Sequence, residues 1–331
     1  MTLPDAGVVL DLIEAFRRSK TLFTAVRLGV FDRLQKGPAG SADLAAEFGA
    51  NRDALERLLD ACAALGLLEK VATVYRNLPV AEHYLCSDSP HTMHAYIVYS
   101  DEALYPMWTH LESAVREGTP RWGQTFGVGD AIFSGFFRTE AAMRDFLQGM
   151  HGFGMLTSPR VVEAFDLSRF RTIVDLGGAT GHLAMAACER YPDMRGVVFD
   201  LPQVVAMVGT SHGRVEFRAG DFFEDELPEG DLYAMGRILH DWGEDKIHRL
   251  LTRIFARLPV GGGVLVAEML LAEDGVGPVP ANLQSLNMLV VTEGRERSLE
   301  QYRRLLEQAG FSGVEGRRTG VALDAVMAAK E

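Results

Sequence analysis

The chain is short of cysteine, of basic charge and of long apolar runs, and each shortage excludes something. Its 331 residues include only three cysteines. Cys62, Cys86 and Cys188 lie far apart and match no zinc-ligand spacing, so neither a disulfide-stapled scaffold nor a structural zinc site is expected. Lys and Arg number 33 against 45 Asp and Glu, a formal net charge of −12. Such a chain is repelled by nucleic acid and by anionic membranes unless it segregates a basic patch, and none is visible. No apolar run reaches the length that crosses a bilayer. The opening MTLPDAGVVLDLIE carries acids where a secretory signal carries bases, so a cytoplasmic protein with reduced thiols is expected. What is present is ordinary globular material, 47% hydrophobic and 24% charged, with length for about two domains.

The two halves follow different patterns. From Val8 to Leu85 the pattern is helical: Ser41-Ala-Asp-Leu reads as a helix start, and Asn51 caps a run with Leu55, Leu58, Leu59 and Cys62 on one face. Gly66 stops that run, and Leu67–Glu69 and Val74–Arg76 read as a small hairpin. The outline is that of a winged helix, but residues 1–85 carry 10 basic and 11 acidic side chains. The segment that would read DNA (Arg52, Asp53, Glu56, Arg57, Asp60) is itself net acidic, which favours dimerisation or structural support over nucleic-acid binding. Residues 86–160 form an aromatic-rich helical connector that includes Phe153. Most of its rings suit helix packing, and some suit the wall of a pocket for a flat ligand.

From Phe170 onward strands and helices alternate. Strands are predicted at Thr172–Leu176, Gly196–Phe199, Val215–Arg218, Leu232–Met235, Val264–Glu268 and Val321–Ala328. Helices are predicted at His182–Arg190 and Glu244–Leu258, and another begins at the capping box Ser298/Gln301 and stops at Gly310. Such βαβ units fold into an α/β, doubly wound, Rossmann-like sheet that binds ligands at the carboxyl ends of its strands.

The first of those strands runs into Val174-Asp175-Leu176-Gly177-Gly178-Ala179-Thr180-Gly181. No phase of this loop gives the dinucleotide spacing of glycines. It gives an acid followed by small residues, and a carboxylate beside the loop opposes a pyrophosphate while favouring the ammonium and sulfonium of S-adenosylmethionine. The second strand ends in Phe199-Asp200-Leu201-Pro202, an acid placed to accept from ribose hydroxyls. The third leads into Gly220-Asp221-Phe222-Phe223, a polar group and an aromatic that can frame an adenine. Asp175, Gly177, Gly178, Asp200, Leu201, Gly220, Asp221 and Phe222 are therefore the candidate cofactor contacts.

The series VDLGGATG, FDLP, GDFF, RILHDW, GGGVLVAEMLL and SLNMLVVTEGRERS resembles the S-adenosylmethionine-dependent O-methyltransferases of the caffeate and acetylserotonin type, the acetylserotonin branch most of all. The resemblance spans roughly Phe16 to Lys330. It implies a mainly helical, winged-helix-like dimerisation domain over residues 1–100, a helical connector to about residue 160, and a cofactor-binding domain assigned to residues 101–331. It also implies a homodimer in which the first domain closes over the partner's active site. Arg237 joins the cofactor set, His240 falls on the catalytic base, and Glu268 and Glu296 fall on the acids flanking it. Asp241 and Asn287 fall near the acceptor. The chain departs from the pattern at Ala179, which replaces a glycine, and at Phe137 and Gly154, which stand where the animal enzymes carry a tyrosine and a tryptophan.

A phenol has a pKa of about 10 and needs a base near neutrality, a task that histidine suits. His240 directly follows the fourth strand, and either Glu268 or Glu296 can orient its far ring nitrogen. The plainer reading makes His240 a cap for a helix starting at Asp241. Trp242, Asn287, Met288 and Phe153 are candidates to border a small aromatic hydroxyl acceptor, with a core role equally open for Met288. Metal-independent chemistry is expected, because no second ligand lies at helical or hairpin spacing from His240. The rival readings are N- or C-methylation on the same scaffold, a cofactor-binding regulator without chemistry, and a nicotinamide dehydrogenase.

Overall fold

The computed structural model describes residues 4–129, 132–209 and 211–331. The chain divides into two compact units, Met1–Ala103 and Leu104–Glu331, so the aromatic connector is shared between them.

In the first unit, helices Gly7–Arg27, Val30–Gln35, Ser41–Phe48, Arg52–Ala64 and Pro79–Tyr84 surround a small sheet. Its strands are β1 (Ala39–Gly40), β2 (Leu68–Val71) and β3 (Val74–Asn77), in the order β1-β3-β2. Asn51 caps Arg52–Ala64 by accepting the Ala54 amide at 3.0 Å. The hydrophobic stripe of that helix is buried at Leu55, Leu59 and Cys62, against Leu44, Leu68 and Tyr75. Ser41 begins its helix but does not cap it, since its hydroxyl donates to Glu56 at 3.0 Å.

The second unit is built on an eight-stranded sheet. Its strands are β4 (Thr172–Leu176), β5 (Arg195–Asp200), β6 (Ser211–His212), β7 (Val215–Ala219), β8 (Leu232–Gly236), β9 (Gly263–Glu268), β10 (Ser312–Arg317) and β11 (Asp324–Ala329). The order is β10-β11-β9-β8-β4-β5-β7-β6. The five strands from β9 to β7 run parallel, while β11, β10 and β6 pair antiparallel. Parallel strands covered on both faces read as continuous apolar runs, as β9 does with every residue buried. Helix Glu244–Arg257 lays Ile247, Leu250, Leu251 and Ile254 on one face of the sheet, with Tyr302, Leu305 and Leu306 of helix Leu299–Gln308 in the same core. The capping box is present: Ser298 Oγ accepts from the Gln301 amide and Gln301 Oε1 from the Ser298 amide.

One sequence expectation needs correction, and strands β6 and β10 were not anticipated. The last strand starts at Asp324 rather than Val321, because Thr319 ties 319–323 into a loop, donating to the Leu323 carbonyl and accepting the Val321 amide. Strand β10 carried no signal: SGVEGR has two glycines and buries only Val314.

Candidate functional site

Chain order along the sheet reverses between β4 and β8, and open α/β sheets bind ligands at such a switch point. The loop after β4 fills it. Gly177 has φ +65°, and a Cβ there would lie 2.5 Å from Ile238 Cδ1. A Cβ on Gly178 would lie 2.6 Å from the Asp175 carboxyl carbon, so only glycine lets the loop pass over that acid. Ala179 keeps the left-handed turn at φ +48°, at a cost of about 1 kcal/mol for a residue with a Cβ. Its amide donates to Asp200 Oδ2 at 2.8 Å, which offsets that cost and ties the first strand end to the second.

Asp175 is buried and accepts the Ala184 amide at 3.2 Å from the first turn of helix His182–Arg190. Burial pushes its carboxyl up to about 7. Asp200 also accepts the Leu201 amide at 2.7 Å, and burial pushes it up to about 6. Two acids this reluctant to ionise alone are a receptive setting for a cation. Gly220 packs its backbone against the Phe199 ring, and Asp221 Oδ1 accepts the Phe223 amide at 2.8 Å, turning the chain so that Phe222 tucks inward. Arg237 leaves β8 in the left-handed region at φ +59°, with its guanidinium 4.6 Å from the Phe153 ring centre. Phe137 stacks on Phe133 at 5.4 Å.

Two histidines beside the loop gave little signal in sequence. His151 Nδ1 meets Thr180 Oγ1 at 2.8 Å, and His182 Nδ1 meets Ser158 Oγ at 2.8 Å. The His182 ring occupies the space that any side chain at Gly154 would need. Burial lowers both, His182 to about 4, so they are neutral at physiological pH.

On the other side of the switch point, His240 sits in the 3-10 turn Leu239–Asp241 that follows β8, rather than capping an α-helix from Asp241. It is 3% exposed. Its Nδ1 lies 2.6 Å from Glu296 Oε1 and 3.2 Å from Glu268 Oε2. The two glutamates are not equivalent. Glu268 Oε1 accepts the amides of Ile238 at 3.0 Å and Leu239 at 2.9 Å, with that of His240 at 3.4 Å. Glu296 makes the short contact to the ring. Burial pushes Glu268 up to about 7 and Glu296 up to about 8. Asp241 Oδ1 lies 3.7 Å from Nε2, and burial pushes this carboxyl up to about 6.

His240, Glu268 and Glu296 bring ligand atoms within 4.8 Å of one another. Of the two acids only Glu296 hydrogen-bonds the ring: Nδ1 is already engaged with it, and the charges of Arg237 and Arg297 act on that acid. Of the candidate acceptor residues, Asn287 Oδ1 accepts the Trp108 indole N–H at 2.9 Å. Trp242 and Met288 are core-packed, the former edge-on to Phe223 at 5.0 Å. Sequence reasoning missed Arg297 and Tyr302, both fully buried next to His240, Glu268 and Glu296.

Residues 108–312 match the O-methyltransferase domain, and residues 10–87 match the O-methyltransferase dimerisation domain. The chain is 42% identical to a human protein described as a probable bifunctional dTTP/UTP pyrophosphatase/methyltransferase. That match takes in 97% of the chain, which spans about half (53%) of that relative. It is also 42% identical to acetylserotonin O-methyltransferase of Bos taurus, over 98% of this chain and 97% of that one. Among solved structures, human N-acetylserotonin methyltransferase in complex with SAM superposes with a TM-score of 0.95 at 39% identity, covering 99% of each chain.

Proposed function

The chain belongs to the O-methyltransferase family, and on that premise we propose that it moves a methyl group from S-adenosylmethionine to a hydroxyl of a small aromatic acceptor, with His240 as general base. The observation that carries this reading is the 2.6 Å contact between His240 Nδ1 and Glu296, beside a crevice whose buried acid suits an onium ligand. Asp175, Gly177, Gly178, Asp200, Leu201, Gly220, Asp221, Phe222 and Arg237 are the residues to hold the carrier. The fit is local: glycine at 178 lets the loop backbone lie against the buried Asp175 carboxyl, where any side chain would clash.

The carrier supplies an electrophilic methyl with a neutral thioether as its leaving group. His240 takes the acceptor's proton at Nε2, because Nδ1 is committed to Glu296, and the acceptor oxygen forms the new bond to carbon. Glu296 stabilises the imidazolium and fixes the tautomer beforehand, while Glu268 holds the turn through its amides. Asp241, Asn287, Met288, Trp242 and Phe153 are the side chains assigned to the acceptor's surroundings.

The dimerisation-domain match and an exposed apolar face on helix Gly7–Arg27 support a homodimer. Val8, Leu12, Ile13 and Phe16 on that helix are 54–72% exposed, and contiguous apolar surface of this kind marks an interface. Among the described residues no helix is long and apolar enough to cross a membrane. With the acidic balance, this fits a cytoplasmic enzyme that binds neither nucleic acid nor membrane. The test is transfer of labelled methyl to a panel of hydroxyindoles, catechols and hydroxyquinones, with aryl amines alongside. Label on hydroxyl acceptors is expected; label on amines alone contradicts the reading.

A further inference from the structure

The turn that carries His240 is gripped along both polar edges by charged side chains of opposite sign. One edge is its amides, which converge on Glu268 Oε1. The other is its carbonyls. Arg297, 1% exposed, donates from Nη1 to the Leu239 carbonyl at 3.3 Å and to the Arg295 carbonyl at 3.1 Å, and from Nη2 to the Trp242 carbonyl at 3.1 Å. Leu239 and Trp242 bracket His240 and Asp241. A buried guanidinium is expensive unless its hydrogen bonds are satisfied and its charge is opposed. Here the opposing charge is at hand, because Arg297 immediately follows Glu296 and acts on that carboxylate.

We propose that Arg297 is a positioning residue for methyl transfer: it clamps the carbonyl edge of the His240 turn and supplies buried positive charge beside Glu296. This rests on the reading of His240 as base. The titratable and charged groups around the imidazole are the carboxyls of Glu268, Glu296 and Asp241, the guanidinium groups of Arg237 and Arg297, and the phenol of Tyr302. Without Arg297, three acids face one cation. The carbonyl edge of the turn is then left ungripped, and the charge facing the ring becomes more negative. A solely structural residue would lower stability and activity alike at every pH.

The test compares Arg297→Met with Arg297→Lys in the full-length protein. In R297M, kcat is expected to fall about 100-fold with the acceptor KM and S-adenosylhomocysteine affinity within two-fold, since a small misplacement of a reacting group is that costly. The acid limb of kcat should move up by about one pH unit. R297K keeps the charge and loses the planar fork, so its acid limb should stay with the wild type while kcat falls about ten-fold. NMR of 13Cε1-labelled histidine, with His240 assigned through H240Q, reads the same titration without any acceptor. It therefore separates failure of this proposal from failure of the methyl-transfer reading. An unmoved His240 midpoint in R297M, or equal losses in the two variants at every pH, overturns the proposal. If R297M does not fold, wild-type turnover in R297K overturns it and the ten-fold loss supports it.

Discussion

The two sides of the switch point are built differently. The crevice side is made mostly of backbone: a loop of small residues after β4, Asp200 accepting two amides, and Phe222 tucked behind an Asx turn, with bonds that span 21 residues or fewer. The His240 side, which the proposal makes the base side, is built of buried charged side chains that meet across long stretches of chain. His240 meets Glu296 at a separation of 56 residues, and Leu239 meets Arg297 at 58. A site made mostly of backbone fails sterically when a side chain is added to it. A site made of buried charges fails when one member is removed, because its neighbours are left unpaired.

The largest effect should come from the base side. His240→Gln is expected to lower kcat about 1,000-fold while S-adenosylhomocysteine affinity, measured by calorimetry, stays within two-fold. Next come the two glutamates, which should separate. Glu296→Gln is expected to cost about 100-fold in kcat with little change in Tm. Glu268→Ala leaves the Ile238 and Leu239 amides buried without their acceptor, and should cost about 3 kcal/mol of stability by chemical denaturation. On the crevice side the signature reverses. Gly178→Ala drives a methyl into Asp175, so cofactor affinity should weaken about ten-fold, while kcat at saturation stays near wild type.

The smallest effect is on pH dependence. Glu268, Glu296 and Asp175 have folded pKa values raised to about 7, 8 and 7, so their contribution is complete below the ordinary carboxylate range and is lost as pH rises through those values. His182, lowered to about 4, works the other way, its contribution being lost as pH falls from about 6.5. Above pH 6.5 only the acids act, and the Tm of the cofactor-free protein should decline toward pH 8 by differential scanning fluorimetry. A flat or rising Tm there would remove the electrostatic contrast between the two sides.

The same contrast explains what the sequence revealed. Asp175 and Asp200 lie at the carboxyl ends of β4 and β5, and Asp221 just beyond β7, so the placement of the three acids was legible from local pattern. The place of His240 directly after β8 was legible too. Glu268 and Glu296 were indistinguishable as text, and only the folded chain separates the acid that holds the turn from the one that meets the ring. Arg297 was missed because an arginine in a charged stretch, GRERS, reads as solvated surface until the fold buries it against the carbonyls of Leu239, Arg295 and Trp242. Trp242 drew attention as an aromatic beside the base, yet it packs largely into the core with Phe133 and Phe223.

The central claim is that His240 works by taking a proton, and an acceptor that has already lost its proton tests it most directly. Methyl transfer by wild type and His240→Ala is measured on an ordinary phenol of pKa about 10 and on an acidic phenol ionised at the assay pH. The account predicts a large loss on the first and a much smaller one on the second; equal losses on both would contradict it.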